Sequence, residues 1–284
     1  MRNILITGAS SGIGAALARK YAAPGVRLGL LARDSARLEA VAAAARAAGA
    51  ECVVALADVR DRAAIERAVG EFEAGGPIDL LIVNAGIFTG RRAGENVESL
   101  ETSLASLDVN LTGALTTLHA ALPAMRARRR GRVALVASLA GLSPLGGALG
   151  YSAAKSALVS YGLGLRQVLW DEGVTVSVVC PGFVETAMSA TYVGRRLFTL
   201  TADEAAEKIA RGVERGKALV AFPALLHLMT RTAIIAPDVV RRIAGRVFAC
   251  RDASAPASLG TGAAVVLPDA AANDPARQDQ RKAV

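Results

Sequence analysis

Thr7-Gly8-Ala9-Ser10-Ser11-Gly12-Ile13-Gly14 joins a short β-rich run, Asn3–Thr7, to a helical stretch that reaches Ala22. Its three glycines, at positions 8, 12 and 14, stand between a strand and a helix. Glycine at such a turn lets the backbone bend tightly and come close to a pyrophosphate, which then rests on the helix N-terminus. The spacing differs from GxGxxG. Taken alone, the stretch is either a dinucleotide cradle or a plain glycine-rich turn.

The alternation continues outward. Val26–Ala32, Cys52–Ala57, Leu80–Val83, Arg132–Ala137 and Val174–Cys180 are apolar nearly throughout, as strands covered on both faces are. Helices are expected at Ile13–Ala22, Ala36–Ala48, Ala63–Glu73, Leu100–Met125 and Ser152–Asp171. Thr201-Ala202-Asp203-Glu204 reads as the capped start of another helix, and Lys217–Phe222 as a last strand ended by Pro223. Strand–helix repetition predicts a doubly wound, Rossmann-type α/β fold. It has a parallel sheet of six to seven strands, helices on both faces and a C-terminal helical extension. Residues 1–222 are expected to form this dinucleotide-binding sheet domain. Residues 223–251 form the extension, split at Pro237. Residues 252–284 turn to Ala, Pro, Ser, Gly, Asp and Gln and are expected to be a disordered tail.

Of the 284 residues, 52% are hydrophobic and 20% charged, which excludes disorder of the whole chain. Aromatics are 4%, so Ala, Val, Leu and Ile must build the core. The net charge of +8 suits phosphate-bearing ligands, and equally permits nucleic acid or anionic membrane. Cys52, Cys180 and Cys250 form no CxxC pair, and the two histidines are His119 and His227. A disulfide framework, a metal site and a Ser-His-Asp triad are therefore not expected. The opening apolar run is too short for a signal-peptide core, so a cytoplasmic location is expected.

Two further positions carry chemistry. The second strand ends in Ala32, where a carboxylate would meet the ribose 2′-hydroxyl, and Arg33 follows. An arginine there can pair with a 2′-phosphate, which favours NADP(H) over NAD(H). Asp34 either caps the next helix or partly neutralises Arg33. Tyr151 and Lys155 are four apart on one helix face, and an ammonium near a phenol favours the phenolate. Ser138 ends the fifth strand, and the link Leu139–Gly150 can fold back to bring it near Tyr151.

With these residues in place, residues 2–222 resemble the short, single-domain branch of the short-chain dehydrogenase/reductase family. Thr7-Gly8-xxx-Gly12-x-Gly14 is similar to its cofactor loop, Asp58-Val59 to its adenine-contacting pair, and Asn84-Ala85-Gly86 to the motif after its fourth strand. Asn110, Ser138, Tyr151 and Lys155 are similar to its catalytic tetrad. Pro181-Gly182, with Val184 and Thr186, is similar to the stretch around the nicotinamide. The resemblance implies an NAD(P)-dependent oxidoreductase acting on a carbonyl/alcohol pair. Tyr151 is then the general acid/base, Ser138 the donor to the substrate oxygen, and Lys155 the group that lowers the Tyr151 pKa and holds the nicotinamide ribose. Asn110 positions a water of the proton relay. Gly8, Ser10, Ser11, Gly12, Ile13, Gly14, Arg33, Asp58, Val59, Asn84, Ala85, Gly86, Tyr151, Lys155, Pro181, Gly182, Val184 and Thr186 are the implied cofactor contacts. Asn84 has an alternative role in bonding backbone to lock the sheet. Two departures weaken the NADP assignment. Ser11 stands where some relatives carry a second base, and Arg33 is the single basic contact.

The remaining features have structural explanations. Arg126–Arg132 lacks interleaved aromatics and reads as a solvated turn after a helix, so no nucleic-acid partner is expected. Cys180 reads as buried and inert, and Trp170 as packing or subunit contact. Phe183, Met188, Tyr192 and Leu197 are expected to line a lid over an apolar or acyl-like substrate. The extension, apolar beside Arg241, Arg242, Arg246 and Arg251, either covers the substrate pocket or a subunit interface, or makes peripheral membrane contact. A homodimer or homotetramer is expected from the family. The rival readings are an NAD(H)-dependent member, a sugar-nucleotide epimerase or dehydratase, and a cofactor-sensing protein without turnover.

Overall fold

The glycine-rich stretch turns strand β1 (Asn3–Thr7) into helix α1 (Gly12–Tyr21), and the same alternation builds the rest of the molecule. The computed structural model describes residues 1–235, 237, 239 and 249–253. Next come β2 (Arg27–Ala32), α2 (Ser35–Ala47), β3 (Glu51–Leu56), α3 (Arg62–Ala74) and β4 (Leu80–Val83). Helices α4 (Leu100–Leu107) and α5 (Gly113–Ala127) precede β5 (Gly131–Val136), α6 (Leu149–Val168) and β6 (Val174–Pro181). A short α7 (Ala187–Ala190), β7 (Tyr192–Val193), α8 (Ala202–Glu214), β8 (Leu219–Phe222), α9 (Ala224–Ile235) and β9 (Arg251–Asp252) complete it. Seven strands form one parallel sheet in the order β3-β2-β1-β4-β5-β6-β8. The order reverses between β1 and β4, so the loops leaving those two strands diverge and open a crevice at their C-terminal ends.

Side-chain alternation explains why both faces are covered. Along β1, Leu5 points into one core with Phe72, Leu118 and Leu158, whereas Ile4 and Ile6 point into the other with Leu17, Leu38 and Ile209. Along β4, Leu81 and Val83 join the first core and Leu80 and Ile82 the second. The helices α3, α5 and α6 thus cover one face and α1, α2 and α8 the other. Alanines do much of this packing: Ala16, Ala18, Ala42, Ala45, Ala205 and Ala206 are all buried. Small helix faces let α1 and α8 approach closely, which suits a chain with few aromatics.

Four expectations change. The single helix expected at Leu100–Met125 is interrupted by a π turn, Asp108–Thr112, with Asn110 at its centre. Helix α6 begins at Leu149 rather than Ser152, because Glu98 accepts the N–H groups of Leu149 at 2.5 Å and Gly150 at 3.2 Å. Thr186 and Ser189 form a reciprocal capping box that starts α7 where irregular chain was expected. Asp252 and Ala253, expected to open the tail, belong to the compact unit Met1–Ala253, because Asp252 pairs with Tyr192 in a small antiparallel ribbon. The expected helix after Pro237 and the tail from 254 lie outside the described residues. Thr201 does cap α8, through a box with Glu204.

Candidate active site

At the end of β1 the backbone bends through Gly8 at φ +66° and Gly12 at φ +53°, a left-handed region that side chains disfavour. A Cβ on Gly14 would lie 2.2 Å from the Gly8 carbonyl oxygen, so the turn closes only with glycine there. Ser11 occupies the N-cap position of α1, yet its side chain makes no capping bond and the first turn holds no acidic residue. The leading N–H groups of α1 therefore remain available to an anion. Asn84 fixes the other wall. Its amide donates to Thr7 O at 3.0 Å and Gly8 O at 3.3 Å, and the N–H groups of Asn84 and Ala85 both donate to Thr7 Oγ1 at 3.1 Å. The alternative role of Asn84, locking the backbone, is what its side chain does here.

The tip of β2 presents Ala32, then Arg33 and Asp34. Asp34 resolves its ambiguity by capping α2: its carboxylate accepts from Arg37 N–H at 3.0 Å and pairs with the Arg37 guanidinium at 3.3 Å. Arg33 leans toward Asp58 instead, at 3.6 Å, and is largely exposed. Arg60 binds Asp58 more closely, at 2.7 Å, and holds its carboxyl below the usual carboxylate range. Arg33, before the N-cap, and Arg37, in the first turn of α2, both border the cavity. The residues present thus fit a dinucleotide: an uncapped helix start for the pyrophosphate, and guanidinium groups at the ribose end.

Ser138, Tyr151, Lys155 and Asn110 converge at the C-terminal ends of β4 and β5. The link after Ser138 does fold back, so both Ser138 and Tyr151 border the same cavity, the Ser138 hydroxyl near enough to the phenol to favour its phenolate. Burial pushes the phenol above its ordinary pKa, and the Ser138 hydroxyl works against that rise. Lys155 donates from Nζ to Val136 O at 2.9 Å, with Nζ 5.9 Å from the centre of the Tyr151 ring. Burial lowers the ammonium from 10.5 to about 8. The nearby Cys180 thiol, pushed up to about 12 by burial, offers no counter-charge at neutral pH. Asn110 spends its amide on backbone: Oδ1 accepts from Ile87 N–H at 3.0 Å, and Nδ2 donates to Ile87 O at 2.9 Å and Ser106 Oγ at 3.0 Å. Gly86 lets this pack, since a Cβ there would sit 2.6 Å from Asn110 Oδ1.

Beyond Tyr151 the same cavity, about 820 Å³, is walled by Phe88, Leu145, Phe183, Met188, Tyr192, Leu226 and Met229. Phe183, Met188 and Tyr192 stand where expected, whereas Leu197 is not part of the lining. Helix α9 covers the cavity with Leu226, Met229 and Thr230 and exposes Leu225 and Leu228 on its other side. No helix among the described residues is long and apolar enough to cross a membrane. The arginine run is spent internally. Arg126 pairs with Glu172, Arg128 with Glu73, and Arg130 with Asp79, while Arg129 and Arg132 donate to main-chain carbonyls. Trp170, expected either to pack or to make a subunit contact, is 72% exposed, with Arg166 over its ring, so it does not pack into the core.

The sequence profile of the short chain dehydrogenases matches residues 2–196. The chain belongs to the short-chain dehydrogenase family. As a member it is an oxidoreductase and binds a nicotinamide cofactor. It is 38% identical over 247 residues to an uncharacterized oxidoreductase of Myxococcus xanthus, covering 86% of this chain and 96% of that one. It is 40% identical over 189 residues to a 3-dehydrosphinganine reductase of Arabidopsis thaliana, covering 65% of this chain and 56% of that one. The crystal structure of actinorhodin polyketide ketoreductase with NADPH superposes with a TM-score of 0.70 at 30% identity, covering 80% of this chain and 97% of that one.

In this short-chain dehydrogenase the cavity brings together Ser138, Tyr151 and Lys155 with Phe183, Met188 and Tyr192 and is covered by the extension through α9, while Asn110 and Gly14 do not border it. Arg37 stands in the first turn of α2, close after the β2 tip that carries Arg33, and that closeness was its signal. Phe88, two residues after Gly86, had none beyond proximity. Leu226, Met229 and Cys250 come from a segment whose path no local pattern specifies.

Proposed function

We propose that this enzyme uses NADP(H) to interconvert a carbonyl and an alcohol on a substrate with an apolar or acyl-like chain. One observation carries the reading. Ser138, Tyr151 and Lys155 stand in a single cavity, between an uncapped helix N-terminus and an apolar aromatic wall. When bound, the nicotinamide supplies the hydride or accepts it. In reduction, the Ser138 hydroxyl donates to the substrate carbonyl oxygen and the Tyr151 phenol gives that oxygen its proton. Lys155, with a pKa near 8, is mostly charged at neutral pH and stabilises the phenolate left behind. Both amide hydrogens of Asn110 are spent on Ile87 O and Ser106 Oγ, and this fixed π turn is the site we assign to the relay water. The flanking apolar side chains exclude bulk water from the transfer.

The NADP(H) preference rests on Ala32 at the β2 tip and on Arg33 and Arg37 beside it. The Arg33–Asp58 contact favours the second reading, NAD(H) use, because it draws the guanidinium away from a 2′-phosphate. The apolar chain is supported by the wall and by the sphinganine-type and polyketide-type reductases among the relatives. Exposed Leu100 and Leu104 on α4 support a homo-oligomer formed through α4, α5 and α6. Titrating the protein with NADPH and NADH by fluorescence, then offering 3-oxoacyl thioesters and long-chain ketones, tests the reading. NADPH should bind about tenfold tighter than NADH, and the apolar ketones should turn over. Equal affinities would remove the NADP assignment. Tight binding without turnover would favour the cofactor-sensing reading.

A further inference from the structure

Three aromatic rings lead outward from Tyr151. Phe88 stands edge-on to Tyr151 with centroids 5.3 Å apart. Tyr192 lies 5.5 Å from Phe88, and Phe183 lies 5.0 Å from Tyr192. Tyr192 is thus the middle of the wall, and it sits in the two-residue strand β7, outside the main sheet. What fixes it is the far end of the described chain. Strand β9 pairs with β7 through Tyr192–Asp252 and Val193–Arg251. Cys250 is buried against Tyr192 and Ala148.

The same residues tie down the neighbouring loops. Asp252 N–H donates to Arg91 O at 3.0 Å, Ala253 N–H donates to Thr191 O at 2.9 Å, and Arg91 N–H donates to Gly147 O at 2.9 Å. A Cβ on Gly147 would lie 1.9 Å from Cys250 O, so the fit is close. Residues 250–253 therefore stitch together the three loops that carry Phe88, Leu145 and Tyr192. None of the four borders the cavity itself, so they act on its wall from behind and leave the cradle of Gly8, Gly12 and Arg33 untouched.

We propose that the C-terminal segment 250–253 is a specificity-determining positioning element that acts on the substrate site from behind, through Tyr192. It holds the aromatic wall beside Tyr151 and so sets the KM for a carbonyl compound bearing an apolar chain, without touching cofactor affinity. The proposal rests on the oxidoreductase reading above.

Two full-length variants test it. Gly147→Ala pushes the segment away by contact, and Ala253→Pro deletes one of its hydrogen bonds while leaving Asp252 in the extended backbone that a following proline prefers. The readouts are KM and kcat for the 3-oxodecanoyl thioester of N-acetylcysteamine, NADPH affinity by fluorescence, and the rate of tryptic cleavage at Arg195 and Arg196, just after β7. Both variants should raise KM about five- to tenfold, as loss of one to two main-chain bonds predicts. They should leave kcat within about twofold, keep NADPH affinity, and speed the cleavage. Wild-type KM in both variants overturns the proposal, as does a KM rise that comes with an equal loss of NADPH affinity. If the wild-type protein turns over no carbonyl compound, the oxidoreductase reading fails by itself. The cleavage rates then decide for the segment, and equal rates in all three proteins overturn it.

Discussion

Lys155→Met should make the protein more stable at neutral pH while removing its activity. The ammonium is buried, its acceptor is a main-chain carbonyl, and no carboxylate among the described residues pairs with it. A fall from 10.5 to about 8 corresponds to a penalty of about 3 kcal/mol on the charged form. Methionine keeps the length and apolar stem of the side chain without the charge. It leaves the Val136 carbonyl without its donor, which costs about 1 kcal/mol. The net gain at pH 7 is then about 2 kcal/mol, roughly 4–8 °C in Tm for a domain of this size. The gain depends on pH in a defined direction. Because the native ammonium has the lower pKa, the unfolded chain holds the extra proton between about 8 and 10.5. The penalty on the native protein is complete below about pH 8 and is relieved as pH rises through 10.5, so the advantage of Lys155→Met should shrink over that window. Buried Tyr151 and Cys180 titrate in both proteins and largely cancel in the difference. Urea unfolding at a series of pH values, with and without the substitution, measures it. A Lys155→Met protein less stable than wild type at pH 7, or a difference that stays flat up to pH 10.5, would refute the reasoning.

Tyr151→Phe should lower kcat by about a thousandfold or more while NADPH affinity changes by less than about twofold, measured by steady-state kinetics and fluorescence titration. Ser138→Ala should cost roughly a hundredfold in kcat, and its loss of the hydroxyl near the phenol should move the acidic or basic limb of the pH–rate profile upward, since that hydroxyl opposes the rise in the Tyr151 pKa. Arg33→Ala should weaken NADPH about tenfold or more and leave NADH affinity unchanged; equal weakening of both would remove Arg33 from the 2′-phosphate. Glu98→Gln should destabilise by about 1–2 kcal/mol in urea unfolding, because its carboxylate alone receives the first two N–H groups of the helix that carries Tyr151.

How much of this was legible follows from the range of each interaction. The glycine turn, the apolar strands and the Thr201 cap are set by neighbours a few residues away, and the sequence shows them directly. The start of α6 is different. Ala148 supplies no side-chain cap, and the group that does, Glu98, lies about fifty residues upstream, so a helix read from local pattern begins late. The π turn at Asn110 escapes for a related reason. Asn110, at its centre, is bound through its side chain to the Ile87 backbone in the loop after β4, and a periodicity of 3.6 cannot register that contact. The arginine run is local in the same way as the glycine turn: it reads as a solvated turn after a helix, and Arg126, Arg129 and Arg130 do stand exposed there, with Glu172, the Asp171 carbonyl and Asp79 as partners. The apolar half of the cavity was least legible of all. Tyr192 and Cys250 meet only because the chain returns after α9, and a two-residue ribbon has too little periodicity to announce itself. That same remoteness gives the wall its freedom. The polar residues at the strand ends are held by the sheet, whereas the segment behind Tyr192 can change without disturbing them. Substrate preference in this chain is therefore expected to vary with residues 250–253 while the hydride-transfer site stays constant.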